Sequence, residues 1–290
     1  MESTLPKPPF IDIAGVANFR DIGGYPVSQP GKVVRRQVVF RSGRLSEVTD
    51  EGISRLKELG ITDVYDLRSI QELEAFSKDG GGSQIKEWDG AKRVFLPVFR
   101  NEDYSPEAIA VRNTNYGQGA EGFVHIYMDI LRNASPQSNE SKPFTVILSH
   151  LASKAPPTPV LIHCSAGKDR TGLVCALILS LCGVEDEAIA HEYSLTDLGL
   201  VLRHRIIVQH LMKLEAFRDN PEGAERMAGS PKQAMLGTLE KIRSVYGSVE
   251  KCVIDLGFLS KEEINQLRRN MIVDDTEAPL DWEQHAKLLP

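Results

Sequence analysis

The chain has 290 residues, with 34 Lys and Arg against 40 Asp and Glu, and a formal charge of −6. Its 41% hydrophobic and 26% charged residues are close to the globular average, which excludes a chain disordered throughout. The acidic balance also argues against a duplex nucleic-acid binder, because such proteins present a concentrated basic surface, so an anionic substrate would have to meet a local positive site.

The N-terminal half alternates β-type runs with helical segments. Residues 1–10 are rich in proline and predict a flexible lead-in. The predicted strands are Val38–Phe40, Thr62–Leu67, Val94–Leu96 and Val160–His163. A helix is predicted over Glu47–Leu59, with Gly60 as its stop. This alternation predicts an α/β fold with a central, mostly parallel sheet flanked by helices.

The C-terminal half is predicted to be helical from Thr171 onward, with helices beginning at Ser230-Pro231, Ser248 and Ser260. The predicted surface loops, rich in Gly, Pro, Ser and Asn, are 78–91, 133–143 and 153–159. None of them is typical of a domain linker, because the pattern of elements resumes after each. We therefore predict one domain over 1–290, ending in a loosely held acidic tail at 274–290.

The most informative segment is residues 159–172, which read PVLIHCSAGKDRTG. A β-type run ends at His163 and an apolar helix begins near Thr171. Helix N-termini and successive amides in a tight loop both bind anions, and an arginine can grip two phosphate oxygens. The segment therefore predicts a phosphate-binding loop from Cys164 to Arg170. Its predicted substrate-binding residues are Ser165, Ala166, Gly167, Lys168 and Thr171.

Cys164 is the predicted nucleophile. A thiol beside a helix N-terminus and cationic groups ionises readily. The Cys-x5-Arg spacing then indicates attack on phosphorus, a phosphocysteine intermediate and hydrolysis by water. Arg170 and the loop amides would stabilise the charge of the transition state, and the Thr171 hydroxyl could hydrogen-bond the departing thiolate. We expect His163 to hold the loop and not to transfer protons.

Two other interpretations of this segment carry less weight. A glycine-containing turn with a buried structural cysteine is the usual fate of a free cysteine, but the complete strand–HCSAGKDRTG–helix pattern disfavours it. A Walker A loop would need Gly where Ile162 stands and Ser or Thr where Asp169 stands, so that motif is excluded.

The segment HCSAGKDRTG resembles the signature loop of the cysteine-dependent protein tyrosine phosphatase superfamily, and more narrowly of its PtpB/LipA-like subgroup in bacteria and fungi. Further segments similar to that subgroup are NFRDIGGY (18–25), FRSGR (40–44), DLRS (66–69) and YGSVE (246–250). The resemblance implies a parallel sheet with helices on both faces and hydrolysis without metal or cofactor. It also implies Cys164 as nucleophile, and phosphoprotein or phosphoinositide substrates.

A general acid must protonate the leaving oxygen, and an Asp usually supplies that proton. The chain has no Trp-Pro-Asp tripeptide. Asp169 is the first candidate, because it lies in the loop and the resembling subgroup carries an acid there; a carboxylate that only braces the loop is the alternative. Asp103, in the loop that follows Phe95-Leu96-Pro97, is the second candidate, and Asp66, at a strand end, is the third.

Several cations could line the mouth of the site. In the resembling enzymes the Lys-Asp pair found here at Lys168-Asp169 is associated with phosphoinositide as well as phosphoprotein turnover, and a solvated lysine is the alternative. Structural ion pairs are at least as good an explanation for four arginines, namely Arg20, Arg41, Arg44 and Arg68. The amphipathic stretch Leu198–Phe217 could form a lid, although a core or surface helix is the safer interpretation.

The leading hypothesis is a metal-independent phosphatase for phosphotyrosine, with phosphoserine, phosphothreonine or phosphoinositides as further substrates. A catalytically silent phosphate-binding adaptor is the alternative, and the presence of both Cys164 and Arg170 argues against it. Sulfur transfer or arsenate reduction fits the loop less well.

The expected compartment is reducing. The four cysteines form no CxxC pair and no zinc-type spacing, and the N-terminus lacks a signal-peptide pattern. The longest apolar run, 173–184, is shorter than the ~18 residues of a membrane span. We therefore expect a cytoplasmic protein without nucleic-acid partners or integral membrane association.

Overall fold

The computed structural model describes residues 5–78, 86–276 and 280–287. Its strands are β1 (Arg20–Asp21), β2 (Lys32–Val34), β3 (Val39–Ser42), β4 (Asp63–Asp66), β5 (Lys92–Phe95), β6 (Val160–His163) and β7 (Ile272–Asp274). Its helices are α1 (Asp50–Glu58), α2 (Ile70–Lys78), α3 (Pro106–Gly117), α4 (Ala120–Asn133), α5 (Pro143–Leu151), α6 (Asp169–Cys182), α7 (Asp186–Ser194), α8 (Thr196–Gly199), α9 (His204–Leu211), α10 (Pro221–Ala228), α11 (Lys232–Tyr246), α12 (Val249–Asp255), α13 (Lys261–Met271) and α14 (Trp282–Ala286). Two 3-10 turns cover Asn101–Tyr104 and Glu215–Phe217.

The central sheet has the strand order β1-β3-β6-β4-β5. The strands β3, β6, β4 and β5 are parallel to one another, and β1 pairs antiparallel with β3 at one edge. The central strand β6 is buried along its whole length, which suits its uninterrupted apolar sequence in a sheet covered on both faces. The predicted α/β fold with a mostly parallel sheet is confirmed.

Alternate residues of β6 face two separate apolar cores. Val160 and Ile162 face the larger core, which the helices α4 to α7 and α11 to α13 cover. Leu161 faces the smaller core, which contains Leu56 of α1 and Trp88. The two layers fix β6 from both sides, so the loop that follows it starts from a rigid point.

The prediction of an entirely helical chain after Thr171 is wrong at one place. β7 pairs antiparallel with β2, with Val34 opposite Ile272, in a separate two-stranded sheet. Three residues directly after a helix carry too little periodicity to indicate a strand. This strand forms because it pairs with β2, which lies more than 200 residues earlier in the chain. The other predicted strands and helix α1 are confirmed within a few residues.

Parts of the predicted lead-in and tail pack on the core. Phe10 is buried, and the Leu280 amide donates to the Gly24 carbonyl at 3.0 Å. The aromatic ring of Trp282 lies 5.8 Å from that of His191. Residues 1–4, 277–279 and 288–290, and 79–85 of one predicted loop, lie outside the described residues. Within the described ranges, no helix has both the length and the apolar character required to cross a membrane.

Candidate active site

The predicted phosphate loop connects β6 to α6 at the carboxyl edge of the parallel strands, where α/β proteins commonly bind ligands. Gly167 makes the turn possible. Its φ is +69°, and a Cβ there would lie 2.1 Å from the carbonyl oxygen of Ser42 on β3. Only glycine fits this backbone position, so the loop lies directly against the neighbouring strand.

The carbonyl groups of the loop are held by donors outside it. The Arg44 amide donates to Ser165 O at 3.1 Å, and Asn18 Nδ2 donates to Ala166 O at 3.1 Å. Arg41 Nη2 donates to Gly167 O at 2.5 Å. These contacts turn the carbonyls away from the centre of the loop.

The loop amides have the opposite arrangement. In the part of the chain that the structure describes, none of the N–H groups of residues 165–170 donates a hydrogen bond to another atom of the protein. Successive unpaired amides before a helix N-terminus form a nest suited to a phosphate group. Cys164 lies at its start and Arg170 at its end, so the structure brings together the predicted nucleophile, the amides and the guanidinium.

A buried ion cluster supports the loop from below. Glu192 of α7 accepts from Arg20 Nε at 2.7 Å and from Arg41 Nη1 at 2.5 Å. Burial alone would raise the pKa of Glu192, but the two arginine charges lower it. Because Arg41 also holds Gly167, this cluster couples α7 to the loop backbone.

Arg170 is aligned by a carboxylate that the sequence analysis did not identify. Glu72 of α2 accepts from Arg170 Nη1 at 2.6 Å and from Nη2 at 2.7 Å. Glu72 also accepts from Ser165 Oγ at 2.6 Å. Burial would raise the pKa of Glu72, but the Arg170 charge and these hydrogen bonds lower it to about 2. The pair therefore stays ionised and fixes the guanidinium plane.

Cys164 is 2% exposed and lies within electrostatic reach of the Arg170 and Arg41 guanidinium groups. The Thr171 hydroxyl is buried and has no hydrogen-bond partner among the described residues. His163 is buried, and its Nδ1 lies 3.2 Å from the Cys164 carbonyl oxygen. This position agrees with a histidine that holds the loop.

Asp169, the first candidate for the general acid, occupies the first position of α6. Its Oδ1 accepts a hydrogen bond from the Tyr127 hydroxyl at 2.7 Å, and its side chain is 21% exposed. Tyr127 lies 2.7 Å, oxygen to oxygen, from Tyr193. Of the three candidates, only Asp169 belongs to the phosphate loop and reaches solvent beside it.

Asp103 and Asp66 make other contacts. The Asp103 carboxylate accepts at 2.8 Å from the amide of Arg100, the residue just before its own 3-10 turn. Asp66 is fully buried and accepts from Arg68 at 2.8 Å and from Arg93 at 2.9 Å. Burial would raise the pKa of Asp66, but His163 and the two arginines hold it well below its usual range. A carboxylate so strongly ionised is a poor proton donor near neutral pH.

Lys168 is not a solvated surface lysine, because it is only 5% exposed. Its ammonium group donates to the carbonyl oxygens of Met227 and of Gly229, the latter at 3.0 Å. It also lies 4.9 Å from the centroid of the Phe123 ring. The side chain thus ties the loop to the end of α10, and the backbone amide is what Lys168 presents to the nest.

The other arginines form ion pairs, as the sequence analysis allowed. Arg44 pairs with Glu47 at 3.1 Å, and Arg68 pairs with Asp66. Gly199, in the stretch Leu198–Phe217, packs against Asn18, because a Cβ there would lie 2.2 Å from Asn18 Oδ1. Within this stretch Phe217 is buried, whereas Leu202 is 86% exposed.

Three supporting residues were missed by the sequence analysis: Asn18, Glu72 and Tyr127. Glu72 carries a local signal, because Ser69-x-x-Glu72 is a capping box at the start of α2, with Ser69 N donating to Glu72 at 2.9 Å and Glu72 N donating to Ser69 Oγ at 3.1 Å. Asn18 lies in a segment that the resemblance had singled out. Tyr127 carries no local signal, because its partner is 42 residues away.

Comparisons with known proteins agree with this geometry. Residues 11–273 match the model of a tyrosine phosphatase family. The triple specificity protein phosphatase PtpB of Mycobacterium tuberculosis is 28% identical over 281 residues, which cover 89% of this chain and 97% of that protein. A putative tyrosine-protein phosphatase of Cupriavidus necator is 25% identical, covering 89% of this chain and 83% of its own. A tyrosine-protein phosphatase of Nostoc commune is 26% identical, covering 79% and 72% respectively.

Proposed function

The chain belongs to the tyrosine phosphatase family and is a phosphoric monoester hydrolase, and we propose that it hydrolyses phosphotyrosine through a phosphocysteine on Cys164. The observation that carries the proposal is the loop itself. Its amides from 165 to 170 are unpaired within the described residues, while its carbonyls are held from outside. Such a nest with Arg170 at its end suits a tetrahedral dianion above a thiolate.

The proposed reaction has two displacements. In the first, the Cys164 thiolate attacks phosphorus, the bond from phosphorus to the ester oxygen breaks, and Asp169 gives its proton to that oxygen. In the second, water attacks the phosphorus of the phosphocysteine, and Asp169 accepts a proton from that water. The bond from sulfur to phosphorus breaks, which regenerates the Cys164 thiolate and releases inorganic phosphate. The buried Thr171 hydroxyl is available to donate to the departing sulfur. Arg170 and the amides stabilise the equatorial oxygens in both steps.

The proposed substrate range extends to phosphoserine, phosphothreonine and phosphoinositides. The name of the PtpB relative, a triple specificity protein phosphatase, supports the wider range. Lys168 supports it less, because its ammonium group donates to two backbone carbonyls that lie outside the loop. Phosphotyrosine proteins therefore stand first, and the four free thiols fit the proposed cytoplasmic setting.

The first experiment measures hydrolysis of 4-nitrophenyl phosphate in the presence of EDTA. The wild type is compared with Cys164→Ser and with the control Cys182→Ser, which changes a buried thiol at the far end of α6. We expect turnover that survives chelation, vanishes in Cys164→Ser and persists in Cys182→Ser. Acid quenching during turnover should trap a phosphorylated wild-type enzyme.

Two results would contradict the proposal. Activity that persists in Cys164→Ser would remove the nucleophile assignment. An inactive wild type that still binds phosphopeptide, with the same affinity as Cys164→Ser, would favour the adaptor. A panel of phosphopeptides and phosphoinositides then ranks the substrate classes by kcat/KM.

A further inference from the structure

We infer that Tyr127 is a positioning residue that orients the Asp169 carboxyl group for proton transfer. The inference rests on the proposed function, because it takes Asp169 as the general acid. Tyr127 lies on α4, and Tyr193 lies on α7. Neither belongs to the phosphate loop, and both are completely buried.

The three groups form a linear chain of hydrogen bonds. Tyr127 Oη lies 2.7 Å from Asp169 Oδ1 and 2.7 Å from Tyr193 Oη. The Tyr127 and Tyr193 rings meet edge to face, with centroids 6.1 Å apart. This packing and the two hydrogen bonds leave the Tyr127 hydroxyl little freedom to turn away from Asp169.

The chemistry sets the direction of this chain when Asp169 is ionised. A carboxylate only accepts, so the Tyr127 hydroxyl donates its single hydrogen to Oδ1. Tyr193 must then donate to the oxygen of Tyr127. Burial first, and then the Asp169 charge, raise the pKa of Tyr127 well above its usual value, and the pKa of Tyr193 is raised by the same two causes. Both phenols stay protonated over the working pH range and remain donors.

The consequence concerns which oxygen of Asp169 carries the proton. Oδ1 is occupied by the Tyr127 hydrogen, whereas Oδ2 makes no hydrogen bond to the described residues. The acid proton accordingly resides on Oδ2, the oxygen free to meet a leaving group. Tyr127 thus selects the oxygen and limits the rotation of the carboxyl plane, both of which general acid catalysis requires.

The remaining charged and titratable groups around Asp169 do not replace this contact. The Lys168 ammonium lies 3.6 Å from Oδ1 but donates to the carbonyls of Met227 and Gly229. Arg170 is paired with Glu72. Asp197 on α8 acts on Tyr193 only through its charge, and its carboxylate accepts from the Ser230 amide at 2.8 Å. Tyr116 on α3 is a neutral phenol, and no hydrogen bond from its hydroxyl occurs within the described residues.

The test compares Tyr127→Phe with Tyr116→Phe as the matched control, because both remove one hydroxyl from the same aromatic cluster. We would assay two substrates from pH 5 to 9. The leaving group of phenyl phosphate needs protonation by an acid, whereas that of 4-nitrophenyl phosphate needs it far less. For Tyr127→Phe we expect kcat on phenyl phosphate to fall about tenfold, which is the rate factor that corresponds to the loss of one hydrogen bond to a charged group. We expect kcat on 4-nitrophenyl phosphate to change less than about twofold.

The pH dependence of kcat distinguishes a positioning role of Tyr127 from a merely structural one, because a structural role would leave it unchanged. Loss of a donor to the carboxylate favours the protonated acid, so the basic limb of the kcat profile for phenyl phosphate should move to higher pH. Tyr116→Phe should keep the wild-type profile. Tyr193→Phe should move the basic limb in the same direction by a smaller amount. If Tyr127→Phe does not fold, Tyr193→Phe replaces it in the comparison with Tyr116→Phe.

The inference is overturned if Tyr127→Phe keeps the pH profile of Tyr116→Phe, or if it slows both substrates equally. Asp169→Asn, measured alongside, separates this failure from failure of the proposed function. If Asp169→Asn abolishes the basic limb while Tyr127→Phe leaves it unmoved, Asp169 is the acid and only the positioning role is wrong. If Asp169→Asn leaves kcat on both substrates unchanged, Asp169 is not the general acid, and the inference about Tyr127 is wrong as well.

Discussion

Replacing Glu72 by glutamine tests how the catalytic arginine is held. The glutamine side chain would keep the shape of the glutamate but would lose its charge and one of the two acceptor oxygens. Arg170 now donates to both oxygens of Glu72, at 2.6 and 2.7 Å, with the two side chains only 11% and 18% exposed. The substitution therefore leaves a largely buried guanidinium without its counter-charge.

The expected magnitude follows from that burial. Removing one partner of a buried ion pair costs about 3 kcal/mol or more, so we expect a loss of about 3 kcal/mol in the free energy of unfolding. At about 2 °C per kcal/mol for a domain of this size, Tm should fall by about 6 °C. A misaligned transition-state donor lowers kcat by about 100-fold, the loss seen when one such donor is removed.

The measurement combines thermal unfolding with initial rates on 4-nitrophenyl phosphate. Glu74→Gln is the matched control, because Glu74 lies on the same helix and is exposed, so the same change of charge touches no partner in the loop. Inorganic phosphate should raise the Tm of Glu72→Gln more than that of the wild type, since a bound anion supplies the missing negative charge to Arg170.

Acid pH should reproduce part of this effect in the wild type. The folded-state pKa of Glu72 is lowered to about 2 from an ordinary value of 4.5. Its contribution to stability is therefore complete above pH 4.5 and is lost as the pH falls toward 2. The reasoning is refuted if Glu72→Gln matches Glu74→Gln in both Tm and kcat.

Two further predictions concern a backbone position and a buried histidine. Gly167→Ala should lose about 2 kcal/mol of stability and most of its activity, since a Cβ at φ +69° would lie 2.1 Å from Ser42 O. The control Gly43→Ala should retain both, because the atom nearest to its Cβ is 3.4 Å away. Melting curves and rates that are the same for the two variants would contradict this prediction. Burial lowers the pKa of His191 to about 4 from 6.5, so the free energy of unfolding should fall by up to about 3 kcal/mol as the pH drops from 6.5 to 4. Urea unfolding measured across this pH range should find the pH dependence removed in His191→Leu. The same pH dependence in His191→Leu and the wild type would refute this prediction.

The sequence by itself determined the phosphate loop and the strand beneath it. An apolar run that ends in His163, a short turn with Gly167 and a helix start at Asp169 are all local features, because they depend on backbone conformation and on neighbouring residues. The same locality explains why helix α1 and the parallel strands could be predicted from periodicity. Cys164 and Arg170 belong to the same short loop, so their meeting required no distant contact.

Only the tertiary structure decided what holds and tunes that loop. Glu72 lies 98 residues before Arg170 in the chain, and Tyr127 lies 42 residues before Asp169. Lys168 looked like a second cation for the substrate, yet the fold places its ammonium group on two carbonyls near α10. A charged side chain takes the partner that packing brings within about 3 Å once water is excluded, and spacing along the chain carries no information about which partner that is.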